Sequence, residues 1–190
     1  DGKRTVLVVV TGTQRRGAEV FGEKVAKSLG DRGWDVSIVA LEQSATDVSI
    51  AAEPLVRRSE GISLRGLNPT VVRRLRSIVR THSPSVVIAG GGATLKYTVP
   101  ALVGTGTKLV YSSIGEPAYW ARGRVSRTAL RILLRRPDVV TAVSHATARQ
   151  LTEVFGVPPD RIAVVHPGVP ADLTNLEPPR EHDETRVLFV

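Results

Sequence analysis

At 190 residues, the chain is long enough for one domain with a large buried core. Hydrophobic residues make up 42% of it and charged residues 23%, which excludes a disordered chain and a membrane-embedded one. Cysteine is absent, which excludes disulfides, thiolate catalysis and cysteine-ligated zinc. The formal net charge is +8, with 21 arginines among the 26 basic residues, and it favours an anionic partner: nucleic acid, a lipid surface or a phosphorylated substrate.

Short β-branched runs alternate with stretches whose apolar residues recur every three or four positions, the spacing of a helix. In chain order, the pattern predicts a strand at 5–10, a helix from 18 to about 30, a strand at 36–41, a loop or short helix within 42–60, a short edge strand at 62–64, a helix at 69–82, a strand at 86–89, a helix to about 103, a strand at 108–112, a helix at 120–136, a strand at 139–143, a helix from 145 to about 156 and a strand at 162–165. The first strand run is apolar throughout, as a strand covered on both faces must be. The alternation predicts an α/β fold: a doubly wound, mostly parallel Rossmann-like sheet with helices on both faces.

The loop after the first strand is the first candidate site, because sheets of this kind bind ligands at the carboxyl ends of their strands. Its residues 11–19, TGTQRRGAE, join a buried strand to a helix N-terminus, whose amides and dipole favour a phosphate or pyrophosphate. The loop has neither the glycine spacing of GxGxxG nor the lysine of a Walker A sequence, so NAD binding and ATP hydrolysis are poorly supported. A simple strand-to-helix turn is the alternative.

Further loops at the same edge carry small or polar residues. The three glycines at 90–92 allow a ligand or another domain to approach the backbone closely, and a flexible turn is the alternative. Glu116 is the only carboxylate in the loop after the fifth strand and is the one catalytic candidate, although no general-base partner lies near it in the sequence. The other candidates for ligand contact are Gly91, Gly92, Thr94, Ser112, Ser113, Ser144 and His145.

The four histidines are His82, His145, His166 and His182. They have no metal-ligand spacing among them and no accompanying carboxylates in a known pattern, so no metal site is predicted. His82 is interpreted as a surface residue at a helix end. His145 and His166 follow strands, where a ligand could reach them.

Four arginines in the helix predicted at 120–136 recur at spacings of three, four and four, and therefore share one face: Arg124, Arg127, Arg131 and Arg135. Apolar residues of that helix lie on the other side: Val125, Ala129, Ile132 and Leu133. Two interpretations remain open. The arginines form a solvated helix face, or they contact an anionic surface, where each basic residue near lipid contributes on the order of 1 kcal/mol.

The composition changes after Val169, where the chain becomes polar and rich in proline. We interpret residues 1–171 as one domain, 172–185 as a linker and residues 186–190, RVLFV, as the first strand of a following domain. Since the chain has no methionine and opens on Asp1, we expect it to be a fragment cut at both ends.

Residues 137–169 carry the most specific pattern, PDVVTAVS followed by FGVPPDRIAVVHPGV. This pattern resembles the end of the N-terminal domain in glycosyltransferases of the GT-B fold, family 4 type. Three earlier segments agree: GAE at 17–19 resembles the family's GGAE loop, LGDRGWDV at 29–36 its L..rGheV segment, and SPSVV at 83–87 its rPDvV segment. The resemblance extends over roughly residues 5–190.

The resemblance implies one half of an enzyme that transfers a sugar from a nucleotide-sugar to an acceptor with retention of configuration. The N-terminal domain of such enzymes chiefly holds the acceptor, so the ligand-contact residues named above become acceptor-side candidates. A C-terminal domain, absent here, would bind the nucleotide and carry the Glu-x7-Glu motif. The resemblance implies no cofactor and no required metal. It places Gly17 and Glu19 on the donor phosphate side, with Arg15 and Arg16 beside them.

The chain departs from the family pattern in the loop after the fifth strand. Family members often have a histidine there, near the transferred sugar, where this chain runs from Ser113 to Glu116. A milder departure is His166 and Pro167 at a turn where Asn-Gly is common. Because family members frequently sit on membranes through a basic N-terminal domain, the resemblance implies a cytoplasmic enzyme that is peripheral at the inner face of the membrane.

Three functions are compatible with these observations. The leading one is the acceptor-binding half of a glycosyltransferase, which we expect to be inactive without its second domain. The alternative is a non-catalytic, stand-alone domain that docks on an anionic membrane or a partner protein through its arginine-rich helices. A nucleic-acid binder has charge in its favour but no groove-reading motif, and with aromatic residues at 4% single-strand stacking is disfavoured, so no nucleic-acid partner is expected.

Overall fold

A computed structural model describes residues 4–45, 48–57, 66–121 and 123–168. Within these ranges seven strands form one sheet: β1 (Thr5–Gly12), β2 (Asp35–Glu42), β3 (Glu53–Val56), β4 (Val86–Gly90), β5 (Lys108–Ser113), β6 (Val139–Ala142) and β7 (Ile162–Val164). Neighbouring strands are all parallel, in the order β3-β2-β1-β4-β5-β6-β7. The predicted α/β fold with a parallel sheet is confirmed.

The described ranges also contain six α-helices: α1 (Gly17–Gly30), α2 (Pro69–His82), α3 (Gly92–Ala101), α4 (Pro117–Trp120), α5 (Arg124–Leu133) and α6 (His145–Glu153). Successive residues of β1 alternate between the two faces of the sheet. Val8 packs with Ala26 of α1 in the core on one face. Val9 belongs to the core on the other face, together with Leu75 of α2 and Leu95 of α3. The sheet is therefore covered on both faces, as the apolar strands predict.

α2 shows how local chemistry defines one of these helices. The Asn68 side-chain oxygen accepts a hydrogen bond of 3.0 Å from the Thr70 amide, which caps the helix at its start. Val71, Leu75 and Val79 recur every four residues and are the buried positions of the helix. The predicted bounds of this helix, 69–82, are confirmed.

The structure differs from the sequence prediction between residues 42 and 60. A loop or a short helix is predicted there and is wrong, because β3 lies in this segment and pairs with β2. Only Leu55 and Val56 of this strand are buried, and Pro54 suits its position at the edge of the sheet. Two buried residues in a four-residue strand leave no period to detect. Three predicted segments lie outside the described residues: the edge strand at 62–64, the linker at 172–185 and the strand at 186–190.

The helix predicted at 120–136 exists as α5, but its predicted bounds are wrong: α5 covers only Arg124–Leu133, and Trp120 ends the separate helix α4. Gly123 precedes α5 with an extended backbone, at φ −102° and ψ 160°. The Ser126 hydroxyl accepts a hydrogen bond of 3.0 Å from the Gly123 amide and donates one of 2.9 Å to the Gly123 carbonyl. These bonds fix a new helix start, which residue periodicity alone does not reveal.

The amino ends of β5 and β6 are joined by the Asp138 carboxylate. Its Oδ2 accepts a hydrogen bond of 2.9 Å from the Leu109 amide, and its Oδ1 lies 2.9 Å from Lys108 Nζ. Desolvation alone would raise the pKa of Asp138, but the Leu109 amide and the charges of Lys108 and Arg136 outweigh it and hold the pKa below its ordinary value. These charges therefore join β5 and β6 at the amino edge of the sheet, opposite to the carboxyl edge that carries the candidate site.

Candidate functional site

The sheet changes direction between β1 and β4. From β1 the chain continues to β2 and β3 on one side, whereas β4 to β7 extend on the other. The loops after β1 and β4 therefore diverge and leave a crevice at the carboxyl edge, the position where open α/β sheets bind ligands. α1 begins there at Gly17 and α3 at Gly92, on opposite faces of the sheet. Both helix N-termini favour a negatively charged group in the crevice.

Residues 12–17, which run from the last residue of β1 to the first residue of α1, are called the phosphate-side loop below. Arg16 is the N-cap residue of α1, with an extended backbone at φ −113° and ψ 168°, and no side chain forms a capping hydrogen bond at this end of the helix. Gly17 is exposed, and a Cβ atom placed on it would have no atom within 4 Å. The amides of Gly17 and Ala18, the first two of α1, thus receive no side-chain cap at the crevice.

Glu19 lies behind the phosphate-side loop. Its side chain is buried, with the residue only 3% exposed, and accepts hydrogen bonds from the amides of Glu19 itself and Gly12. Desolvation raises the pKa of Glu19, while these hydrogen bonds and the charge of Arg16 lower it, and the resulting pKa lies above its ordinary value. The buried carboxylate therefore fixes the start of the loop through its hydrogen bond with the Gly12 amide.

The two arginines of the loop differ in their contacts. Arg15 Nη1 lies 3.1 Å from Glu23 Oε2 on the exposed side of α1. Arg16 is exposed at the helix start, close enough to Glu19 for its charge to lower the pKa of that carboxyl. An exposed ion pair contributes at most about 1 kcal/mol, so Arg15 can exchange Glu23 for an anionic ligand.

Opposite this loop, the glycines after β4 are held against the end of β5. Gly91 has a φ of +87°, which favours glycine, and its amide donates a hydrogen bond of 3.0 Å to the Ser112 carbonyl. The Thr94 hydroxyl donates one of 2.7 Å to the Gly91 carbonyl. Gly92 is exposed at the start of α3. The predicted glycine loop thus lies at the crevice and presents backbone rather than side chains.

The hydroxyl candidates at this edge are largely turned inward. Thr94, Ser112 and Ser113 are all buried. The Ser113 hydroxyl donates a hydrogen bond of 3.2 Å to the Gly115 carbonyl, which shapes the loop after β5. These side chains would therefore affect a bound ligand only indirectly, by fixing the backbone of the loops at the crevice.

Glu116 is exposed and directly precedes α4, at the carboxyl end of β5. Its side chain makes no capping hydrogen bond with that helix. It therefore stays a candidate for contact with a substrate hydroxyl.

In the parts of the chain that the structure describes, no three His, Asp or Glu side chains cluster in a way that could hold a metal ion.

Ser144 and His145 lie at the carboxyl end of β6. The Ser144 hydroxyl accepts a hydrogen bond of 3.1 Å from the Thr147 amide and so caps α6. The ring of His145 packs edge-on against that of His166, with 5.9 Å between the ring centroids. His166 Nδ1 lies 3.1 Å from the Val143 carbonyl oxygen. The structure thus brings together two histidines whose sequence spacing predicts no contact.

The arginine face of α5 has two kinds of members. Arg127 Nε donates a hydrogen bond of 3.0 Å to the Ala121 carbonyl, and Arg131 donates two, of 2.9 and 2.7 Å, to the Val154 carbonyl. Arg124 is exposed at the start of α5, whereas Arg135 is exposed two residues beyond Leu133, where the helix ends. Half of the predicted anionic-surface residues therefore also stabilise backbone carbonyls of their own domain.

The apolar side of α5 is not a buried face. Val125 is 85% exposed and Ile132 58% exposed, and no residue of α5 is fully buried. Only Leu130 and Leu133 are half-buried against the core. No helix among the described residues is long and apolar enough to cross a membrane.

Sequence reasoning assigned no individual role to Thr13 of the phosphate-side loop and missed Ser44, which follows β2. Their hydroxyls form hydrogen bonds with amides of the neighbouring loop. Small hydroxyl residues in loops are common turn formers, so nothing in their sequence context sets them apart.

Solved structures share this fold. The crystal structure of Anabaena Alr3699/HepE in complex with UDP and glucose matches 92% of this chain and 47% of its own, with a TM-score of 0.70 and 20% identity. A glycosyltransferase from Rickettsia africae ESF-5 matches 94% of this chain and 47% of its own, with a TM-score of 0.64 and 20% identity. UDP-N-acetylglucosamine 2-epimerase from Rickettsia bellii matches 84% and 44%, with a TM-score of 0.60 and 13% identity. The chain has the fold of one half of a GT-B glycosyltransferase.

Within this class, the chain belongs to Glycosyltransferase Family 4, whose sequence model matches residues 15–173. It is 28% identical, over 92% of its length, to the GDP-mannose-dependent alpha-(1-6)-phosphatidylinositol monomannoside mannosyltransferase of Mycobacterium tuberculosis (strain CDC 1551 / Oshkosh). It is 29% identical, over 89% of its length, to the protein of the same name from Mycolicibacterium smegmatis. The chain spans only 47% and 38% of the length of these two relatives. The family resemblance found in the sequence is confirmed.

Proposed function

We propose that the chain is the acceptor-binding half of a retaining glycosyltransferase that moves a sugar from a nucleotide-sugar to an acceptor. One observation carries the proposal: the N-terminus of α1 opens into the crevice at Gly17, with no side chain capping it. A donor diphosphate in the crevice would meet the first amides of α1 and the charge of Arg16. Membership in Glycosyltransferase Family 4 and the match to about half of the Mycobacterium tuberculosis relative support this assignment.

The proposed chemistry needs stabilised charge rather than a protein nucleophile. Negative charge accumulates on the diphosphate as the bond between its oxygen and the anomeric carbon breaks. The acceptor's hydroxyl oxygen forms the new bond to that carbon, and its proton passes to the departing diphosphate. Amide donors fixed in advance need no reorganisation, and each contributes about 100- to 1000-fold to the rate in well-studied sites. Neither a cofactor nor a metal ion is required for this step.

We propose an anionic glycolipid as the acceptor. The Mycobacterium tuberculosis relative is named for a phosphatidylinositol monomannoside acceptor, and its donor is GDP-mannose. A net charge of +8 suits an acceptor that carries phosphate. Such an acceptor resides in a membrane, so the enzyme would act as a cytoplasmic protein at the inner membrane surface.

The proposal is tested by a transfer assay with the full-length protein. Labelled GDP-mannose or UDP-glucose is offered together with phosphatidylinositol monomannoside or with methyl α-mannoside, which lacks phosphate and lipid. We expect transfer from one donor, mainly to the phospholipid, with an α-linkage when the donor is α-linked. The linkage is determined by NMR. Absence of transfer from both donors would contradict the function, a β-linkage would contradict retention, and equal use of methyl α-mannoside would contradict the acceptor class.

A second proposed function is docking on an anionic membrane through α5. Val125 and Ile132, 85% and 58% exposed, form an apolar strip on this helix, with exposed Arg124 at the helix start and exposed Arg135 two residues past its end. Helices of this composition lie in the plane of the membrane, with aliphatic side chains at the acyl boundary and arginines at the headgroups. The observation also supports an acceptor located in a lipid bilayer.

Vesicle binding of the full-length protein tests this docking. Replacing Arg124 and Arg135 by glutamine is expected to weaken binding to phosphatidylserine vesicles about 30-fold, since each basic residue contributes ~1 kcal/mol. The double variant Val125→Ser/Ile132→Ser is expected to weaken it as well. Val165→Ser, another exposed valine but outside α5, serves as the control and should bind normally. Equal binding to phosphatidylcholine and phosphatidylserine vesicles, or unchanged binding of both double variants, would contradict it.

A further inference from the structure

The phosphate-side loop is bonded to the segment that follows β2 by a reciprocal pair of hydrogen bonds. The Ser44 amide donates a hydrogen bond of 3.0 Å to the Thr13 hydroxyl. The Ser44 hydroxyl in turn accepts one of 3.2 Å from the Gln14 amide. These two bonds, called the Thr13–Ser44 clamp below, link the loops that follow two neighbouring strands of the sheet.

Further contacts reinforce the clamp. The Ile50 amide donates a hydrogen bond of 2.8 Å to the Thr13 carbonyl, and Gln14 and Ser49 form an isolated antiparallel bridge. A Cβ atom on Gly12 would lie 2.6 Å from the Ser44 hydroxyl oxygen. Only glycine at position 12 therefore lets Ser44 approach the loop this closely.

The loop is also held from its other side. Thr13 is only 6% exposed, so its hydrogen bond to Ser44 is shielded from competing water. The buried Glu19 carboxylate accepts a hydrogen bond from the Gly12 amide. The start of the loop is thus fixed between the clamp and Glu19, while Gly17 and the α1 N-terminus stay open to the crevice.

We propose that Thr13 and Ser44 are positioning residues for sugar transfer, which they support by holding the α1 N-terminus against the donor diphosphate. The inference rests on the proposed function. Neither residue need touch the donor, because the clamp acts through the backbone of the phosphate-side loop. Dipoles stabilise a developing charge best when they are already oriented, and a displacement of about 1 Å can cost about 100-fold in rate.

Kinetics of the full-length enzyme test the clamp. Thr13→Val keeps the shape of the side chain and removes its hydroxyl, while Thr13→Ser keeps the hydroxyl and serves as the matched control. We expect Thr13→Val and Ser44→Ala each to lower kcat about 10- to 100-fold, with smaller changes in the KM for the donor, because the charge develops in the transition state. Thr13→Ser should stay close to the wild type. The double variant should lose less than the product of the single losses, since both changes act on one loop.

Amide hydrogen exchange over residues 13–19 is measured alongside the kinetics. Faster exchange in Thr13→Val than in Thr13→Ser, together with the loss of kcat, supports the clamp. If the wild type transfers sugar and Thr13→Val matches it in kcat, the clamp has no positioning role and the proposed function stands. If the wild type transfers nothing, the proposed function fails. Amide hydrogen exchange then still tests whether the clamp orders the loop. Equal exchange rates in Thr13→Val and Thr13→Ser would contradict that ordering as well.

Discussion

Gly17→Leu is expected to lower kcat/KM for the nucleotide-sugar at least about 100-fold in the full-length enzyme, a loss comparable to removing one oxyanion donor. A Cβ atom at this position has no atom within 4 Å and Gly17 is exposed, so we expect leucine to leave the fold intact. It would, however, occupy the space in front of the α1 N-terminus, where we propose that the donor diphosphate binds. Steady-state kinetics combined with urea denaturation separate the two effects.

Gly30→Leu is the matched control for this change. Gly30 closes the same helix at its other end, and a Cβ there also has no atom within 4 Å. It lies at the edge of the sheet away from the crevice, so this variant should keep full activity. If Gly17→Leu were as active as Gly30→Leu, the α1 N-terminus would have no place at the donor site.

Gly22→Ala is expected to destabilise the fold by about 1–3 kcal/mol relative to Gly30→Ala, the usual cost of overpacking a core. A Cβ on Gly22 would lie 2.7 Å from Val10 Cγ1 and 3.5 Å from Val8 Cγ1, both on β1. Valine is stiff about χ1, so the central strand cannot easily make room. α1 must instead move away from the sheet and carry its N-terminus with it.

Gly30→Ala is a reference for the effect of helix propensity, which favours alanine over glycine by up to about 1 kcal/mol inside a helix and by less at its last residue. Gly30 has open space around it, so its replacement should be neutral or stabilising. Urea denaturation of both variants provides the difference. Equal free energies of unfolding would mean that α1 packs less closely on β1 than the structure indicates.

Much of the fold can be predicted from the sequence because its elements are locally determined. The apolar run of β1 and the asparagine cap of α2 are both visible in a few consecutive residues. β3 is not visible, because its exposed half, Glu53 and Pro54, follows no strand pattern and its pairing is decided by β2. The break before α5 depends on the Ser126 hydroxyl bonding back to Gly123, which helical periodicity cannot indicate.

The candidate site is only partly predictable. Glycines at strand-to-helix junctions identify Gly17 and the loop after β4, because such junctions have a known physical use. The Thr13–Ser44 clamp joins residues 31 positions apart and depends on the register of β1 against β2, which no local pattern encodes. Periodicity likewise shows that Arg127 and Arg131 share a face, but not that the carbonyls they contact belong to segments folded against α5.

The all-parallel pairing of the sheet has a consequence for how the crevice is assembled. Among the seven described strands, no two neighbours are joined by a hairpin, so each of these pairings closes a long loop before its contacts form. The pairing of Val6 with Val86 is among the most distant along the chain, and it brings the phosphate-side loop and the glycines after β4 together. Loop-closure entropy makes such a pairing slow to form. The crevice is therefore expected to arise late in folding, so a chain with most of its helices in place would still lack it.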